Sequence, residues 1–133
     1  MILTREVAEL KRPEDVVRVR QVARALALQA GFGLVDQTKI VTAVSELGRN
    51  ALIHGGGGTA TLEVIEEGIR RGLRIVFRDE GPGIADVERA LQDGYTTSGG
   101  LGIGLGGARR LMNEFEISSS PGKGTTVTIA RWK

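Results

Sequence analysis

Glycine constrains this chain more than any other residue. There are 20 among 133 residues, about twice the usual share, and they are bunched. Seven lie between Gly94 and Gly107, and four run from Gly55 to Gly58. Glycine opens left-handed backbone angles and lets a main chain come close to a ligand. Flexible linkers are rich in it too. Here the clusters are interleaved with Leu and Ile and sit between periodic segments, which argues for functional loops.

The remaining composition narrows the class. A chain of 133 residues is read as one domain over residues 1–133, able to bury about two-thirds of its unfolded surface. Hydrophobic residues at 41% and charged residues at 26% exclude disorder, collagen and a coiled-coil rod. There is no Cys, so disulfides, thiolate metal sites and Cys nucleophiles are excluded. A single His, His54, cannot build a multi-histidine metal site. No apolar run reaches membrane-span length and Met1–Glu6 has no signal-peptide shape, so a cytoplasmic location and no membrane partner are expected. The net charge is +2, the signs are interspersed and aromatics are 4%, so no nucleic-acid partner is expected.

Periodicity predicts the elements. Residues 5–12 alternate weakly, as an edge strand would. Pro13-Glu14-Asp15 opens a helix, with Val16, Val19, Ala23, Leu26, Ala27 and Ala30 on one face and Gly31 as its stop. Asp36 is read as the cap of a second helix, with Ile40, Ala43, Val44, Leu47 and Ala51 inward, ending at His54. Period two follows over residues 60–64 and 73–77, with a hairpin loop around 68–72. Residues 84–93 suit a short helix. After a Gly/Thr/Ser loop, Leu105, Ala108, Met112 and Phe115 mark another. Residues 116–119 and 125–132 read as strands around a Pro-Gly-Lys-Gly turn. Helices and antiparallel strands in blocks predict an α+β fold, a two-layer α/β sandwich with a mixed, mostly antiparallel sheet and helices on one face.

Four short motifs stand on this frame. Glu46 and Asn50 are four apart and share a helix face beside the apolar stripe. Asp79-x-Gly81-x-Gly83 follows a strand, where a carboxylate can accept a hydrogen bond from an exocyclic amine. Gly100-Leu101-Gly102-Ile103-Gly104-Leu105 leads into a helix, and glycine-loop N–H groups at a helix N-terminus suit phosphate. Gly122-x-Gly124-Thr125 turns into the last strand. Taken singly, each has an ordinary reading: a solvated Glu with a late-helix Asn, a turn, a flexible loop, a hairpin. The dinucleotide fingerprint is matched only in form, because no strand directly precedes Gly102, and the Walker A pattern is absent.

In this order the four resemble the N, G1, G2 and G3 boxes of the GHKL (Bergerat) ATP-binding fold. Gyrase-type ATPases, MutL and histidine kinases share that fold. The resemblance spans residues 5–132. Ser45-Glu46-Leu47-x-x-Asn50-Ala51, His54-Gly55 and residues 93–102 are similar to the anti-sigma-factor serine/threonine kinase branch. The short length and the Thr-Ser-Gly-Gly-Leu-Gly stretch are similar to its stressosome switch kinases.

The resemblance implies roles. Asp79 would bind the adenine amine of ATP, with Gly81, Gly83 and Thr125 supporting that end. Gly100, Gly102 and Gly104 would give N–H groups to the phosphates. Asn50 would coordinate Mg²⁺, which commonly takes few protein ligands. Glu46 would be the general base toward a Ser or Thr hydroxyl. Residues 84–104 would form a lid that orders on nucleotide binding. Implied partners are STAS-domain proteins of the RsbS and RsbR kind, as substrates and sequestering partners, and a PP2C-type phosphatase activated on release. The branch includes kinases that dimerise through the sheet. A histidine-kinase reading would need an acceptor domain for which the chain has no room, so His54 is read as lining the pocket or capping its helix. Arg20 with Arg24, and Arg109 with Arg110, are candidate docking contacts. Two other readings stay open: a direct anti-sigma factor with kinase activity toward a STAS antagonist, and an ATP-gated binding module without kinase activity.

Overall fold

The computed structural model describes residues 1–84, 87, 91 and 104–133. Strand β1 (Ile2–Leu10) leads into α1 (Pro13–Gln29) and α2 (Leu34–Ile53). A hairpin follows, β2 (Gly58–Glu67) and β3 (Arg70–Asp79). Helix α3 (Gly104–Leu111) and a second hairpin, β4 (Glu114–Ser119) and β5 (Thr125–Trp132), complete the described chain. The strands lie in the order β1-β2-β3-β5-β4. Every pairing is antiparallel, which meets the expectation of a mostly antiparallel sheet.

The helices form as their spacing demands. Val19, Ala23, Leu26 and Ala27 of α1 are buried, as are Ile40, Ala43, Val44, Leu47 and Ala51 of α2. They meet the strand residues that alternate onto the same face of the sheet, among them Leu62, Val64, Leu73, Ile75, Phe77, Val127 and Ile129. Burying each Leu, Ile or Phe there contributes about 1.5–3 kcal/mol. Both helices thus cover one face of the sheet, and α3 packs on α2.

Several boundaries differ from the sequence reading, each for a local reason. Helix α2 starts at Leu34 after Gly33, and no side chain caps it. Asp36 lies in its first turn instead and accepts a hydrogen bond from Arg131 at 2.8 Å. The β2–β3 connection is shorter than the loop expected around 68–72, because Glu67 already pairs with Arg70. Helix α3 ends at Leu111, and Phe115 is a strand residue. Its spacing from Met112 is compatible with a helix, but its backbone pairs with Ile129 across β4–β5. Of the helix expected over 84–93, only residues 84, 87 and 91 are described, and the Leu91 N–H donates to the Val87 carbonyl at 3.0 Å. The rest of that segment and the lid loop lie outside the described residues.

The sheet face turned away from the helices holds a charge cluster. Glu63 is 4% exposed and its carboxylate accepts from Arg5 at 2.7 Å and from Arg74 at 2.8 and 3.0 Å. Burial pushes its pKa up, but the hydrogen bonds and positive charge of Arg74 and Arg5 outweigh that and hold the carboxyl below the ordinary glutamate range. Among the described residues no helix is long and apolar enough to cross a membrane.

Candidate active site

Glu46 follows from the amphipathic register of α2. It precedes Leu47 at the rim of the buried stripe and is only 6% exposed. A buried carboxylate is costly unless donors compensate it. Here each oxygen has its own: Oε1 accepts the Gly104 N–H at 3.0 Å and Oε2 accepts from Arg49 Nη2 at 2.8 Å. Gly104 is the first residue of α3. Its N–H lies at the positive end of the helix dipole, where an anion is favoured. One turn along α2 from Glu46, Asn50 is half-buried. Its main-chain carbonyl accepts the His54 N–H at 2.9 Å, which makes His54 the C-terminal cap of the helix.

A second group assembles where β3 ends. Asp79 is half-buried and stands opposite Thr125 in the β3–β5 register. Its Oδ1 accepts the Gly81 N–H at 3.0 Å, a local turn bond typical of Asp. Two glycines make room around it. A Cβ at Gly55 would lie 2.3 Å from Asp79 Cγ. One at Gly124, where φ is +76°, would lie 2.2 Å from the Asp79 carbonyl oxygen. Any side chain at either position would displace the Asp79 carboxylate or its backbone.

Ser119 ties this end together. Its Oγ accepts the Ile84 N–H at 2.7 Å and donates to the Gly124 carbonyl at 3.1 Å. Its Oγ also lies 2.8 Å from Thr125 Oγ1, a hydroxyl pair in which either can donate. In either direction Thr125 Oγ1 keeps at least one lone pair for an outside donor. The Gly122 N–H donates to the Pro82 carbonyl at 2.7 Å, so the Gly81–Gly83 turn and the Gly122–Gly124 turn are joined.

The residues singled out from sequence fall into these two groups. Glu46 meets Gly104 directly. Asp79, Gly81, Gly83 and Thr125 converge around the end of β3. Asn50 sits on the same helix as Glu46, one turn nearer the Gly55 side of Asp79. Gly100 and Gly102 lie outside the described residues. Arg20, Arg24, Arg109 and Arg110 are exposed. Sequence reasoning missed Arg49, Ser119 and the place of Gly55 against Asp79. The i, i+3 spacing of Glu46 and Arg49 was available as a signal. Nothing in the sequence points to Ser119, whose role depends on the β4–β5 register.

The donors and acceptors fit a nucleotide with its metal. A carboxylate and a hydroxyl lone pair beside a glycine-cleared space suit an adenine edge, and the start of α3 suits phosphate. Among the described residues no group of three or more His, Cys, Asp or Glu could hold a metal ion. A single Asn oxygen suits Mg²⁺ completed by phosphate oxygens and water.

Known proteins are similar to this chain in sequence and fold. Residues 10–131 match the family described as the histidine kinase-like ATPase domain. The serine/threonine-protein kinase RsbT of Bacillus subtilis is 45% identical over 118 residues, covering 89% of each chain. The anti-sigma F factor of a Thermoanaerobacter strain is 32% identical over 133 residues, covering 96% of this chain and 92% of its own. A crystal structure of the RsbU and RsbW domains of a Mycobacterium tuberculosis protein superposes with a TM-score of 0.67 at 21% identity. It covers 98% of this chain, which spans 33% of that longer one, and at such identity it bears on the fold alone.

Proposed function

Since the chain belongs to the histidine kinase-like ATPase family and is an ATP-dependent serine/threonine protein kinase of it, we propose that it is a partner-switching regulator. It phosphorylates STAS-domain proteins of a stressosome on Ser or Thr, is sequestered by them, and activates a PP2C-type phosphatase when released. It works in the cytoplasm, without nucleic acid or membrane. The observation that carries the catalytic part is the buried Glu46 carboxylate, held at the first N–H of α3 and one helical turn from Asn50.

In this reading Asp79 accepts the adenine amine, with Gly81, Gly83 and Thr125 shaping that end. The N–H groups of Gly100, Gly102 and Gly104 receive the phosphates. Asn50 offers its side-chain oxygen to Mg²⁺, which when bound neutralises phosphate charge. Glu46 takes the proton of the substrate hydroxyl as its oxygen bonds to the γ-phosphorus and the bond to the ADP oxygen breaks. Phosphoryl transfer depends mainly on positioning and charge, and a base preset on a helix suits it.

The test is intact-mass spectrometry of STAS-domain proteins from the same genome after incubation with this protein and Mg-ATP. One phosphate is expected on a Ser or Thr, absent with Glu46→Ala. Transfer at near-normal rate by Glu46→Ala removes the base role. No mass gain in a preparation that binds ATP removes the STAS substrates. The 32% identity to an anti-sigma F factor supports a second reading as a direct anti-sigma factor. The 45% identity to RsbT puts the switch kinase first. Co-purification with a sigma factor would reverse that order, whereas a STAS assembly with a phosphatase would uphold it.

A further inference from the structure

The Glu46 carboxylate sits where the phosphate side of the site would draw its backbone donor. Gly104 has one N–H, and it is spent on Glu46 Oε1 at 3.0 Å. That N–H is one of the donors a helix start offers to an anion. Glu46 is 6% exposed, so this is a buried, charge-assisted bond. The other oxygen is held by Arg49 at 2.8 Å, and the Arg49 side chain is 42% exposed. The two contacts are separable because they use different oxygens and different elements, α3 and α2.

We propose that the Glu46–Gly104 bond is an autoinhibitory latch and that Arg49 is the positioning residue that keeps Glu46 in place when the latch opens. In the latched state Glu46 stands in for a phosphate oxygen at the start of α3, and both its oxygens are engaged. When the Gly104 N–H turns to a phosphate oxygen, Oε1 gives up that donor and presents a further lone pair to the substrate hydroxyl. Oε2 stays on Arg49, so the carboxylate does not swing away or follow the helix start. The arrival of phosphate thereby adds to the acceptor capacity that Glu46 can turn to the substrate hydroxyl. The inference deepens the kinase reading and rests on it for the direction of proton transfer. The latch itself requires only nucleotide binding.

The experiment uses the full chain. Calorimetric titration with Mg-ATP and with adenosine is run on wild type and on the isosteric Glu46→Gln. If Glu46 competes for the Gly104 N–H, Glu46→Gln binds Mg-ATP about tenfold more tightly and adenosine no differently. A ¹⁵N spectrum separates this from simple charge repulsion. The Gly104 amide resonance of wild type moves on adding Mg-ATP and not adenosine, and in nucleotide-free Glu46→Gln it is already displaced from the wild-type position. Equal or weaker Mg-ATP binding by Glu46→Gln, or a Gly104 resonance blind to the substitution, overturns the latch. For Arg49, Arg49→Ala is expected to lower kcat about 10- to 100-fold with the KM for ATP within about threefold, and Arg49→Lys to restore part of kcat. An Arg49→Ala protein with wild-type kcat, or a loss appearing only in KM, overturns its positioning role. Wild type that binds Mg-ATP but transfers no phosphate defeats the kinase reading while the titrations still decide the latch. Wild type that binds no Mg-ATP defeats both.

Discussion

Around Asp79, single atoms set the outcome. The carboxylate already uses Oδ1 on the Gly81 N–H, so what it offers an adenine amine is its remaining acceptor capacity. Asp79→Asn keeps the shape and the turn bond but turns an NH₂ toward another donor. ATP affinity is expected to fall about 100-fold, the penalty for facing donors in a site built to accept. The melting temperature should move by no more than about 2 °C, since a substitution that preserves shape and the local bond changes stability little. Titration calorimetry with a parallel melt distinguishes this from unfolding. Gly124→Ala behaves in the opposite way. Its Cβ would press on the Asp79 carbonyl oxygen from a left-handed backbone. A loss of about 5–10 °C in melting temperature is expected, read by differential scanning calorimetry, and an unshifted melt would contradict the crowding. Asp79 and Glu46 were legible in the sequence because their motifs carry them. Arg49 was not, because an arginine three residues from a glutamate on a helix is usually a solvated pair. Ser119 was not, because its neighbours come from residues 84, 124 and 125, joined only once the strands are in register.

Among the elements, α1 and α2 were the most legible. Their apolar positions recur at helical spacing and all sit against one sheet face. The failures fall where local pattern and tertiary pairing compete. Phe115 fits a helical spacing from Met112, but backbone pairing with β5 claims it. Asp36 has the chemistry of a cap, but Arg131 engages it in the first turn. The Glu63 cluster was invisible for a related reason: Arg5, Glu63 and Arg74 lie on three strands, and only the β1-β2-β3 register brings them together. It makes an element-scale prediction. The folded-state pKa of Glu63 is depressed, so its contribution to stability is complete above the unfolded glutamate value of about 4.3. It is lost as pH falls through the lower folded value. Glu63→Gln should be less stable than wild type in urea unfolding at pH 7, and the gap should narrow progressively below about pH 4.3. A gap that stays constant down to pH 3 would assign the loss to packing instead.

For the whole molecule, the two-layer class with helices on one face was legible from the order of periodicities, whereas the strand order was not. Nothing in local pattern says that β5 passes β4 to lie beside β3. That step puts Thr125 opposite Asp79, so the candidate nucleotide site spans both halves of the sheet. A ligand there should stabilise the fold as a unit. At 100 times its dissociation constant, Mg-ATP is expected to add about 2.7 kcal/mol, or about 5–10 °C in a thermal melt of a chain this size. A melt insensitive to saturating Mg-ATP would mean that the site binds no nucleotide. The same strand order has a consequence for the ribosome. A chain made from its N-terminal end releases β1, α1, α2, β2 and β3 while the inner neighbour of β3 is still unmade, since residues 125–132 follow β4. Until they emerge, the outer edge of β3 stands open in the nascent polypeptide, a ready template for wrong pairing. Asp79 and Thr125 come together only when that edge closes, so the ability to hold a nucleotide arrives with the last described strand to be translated.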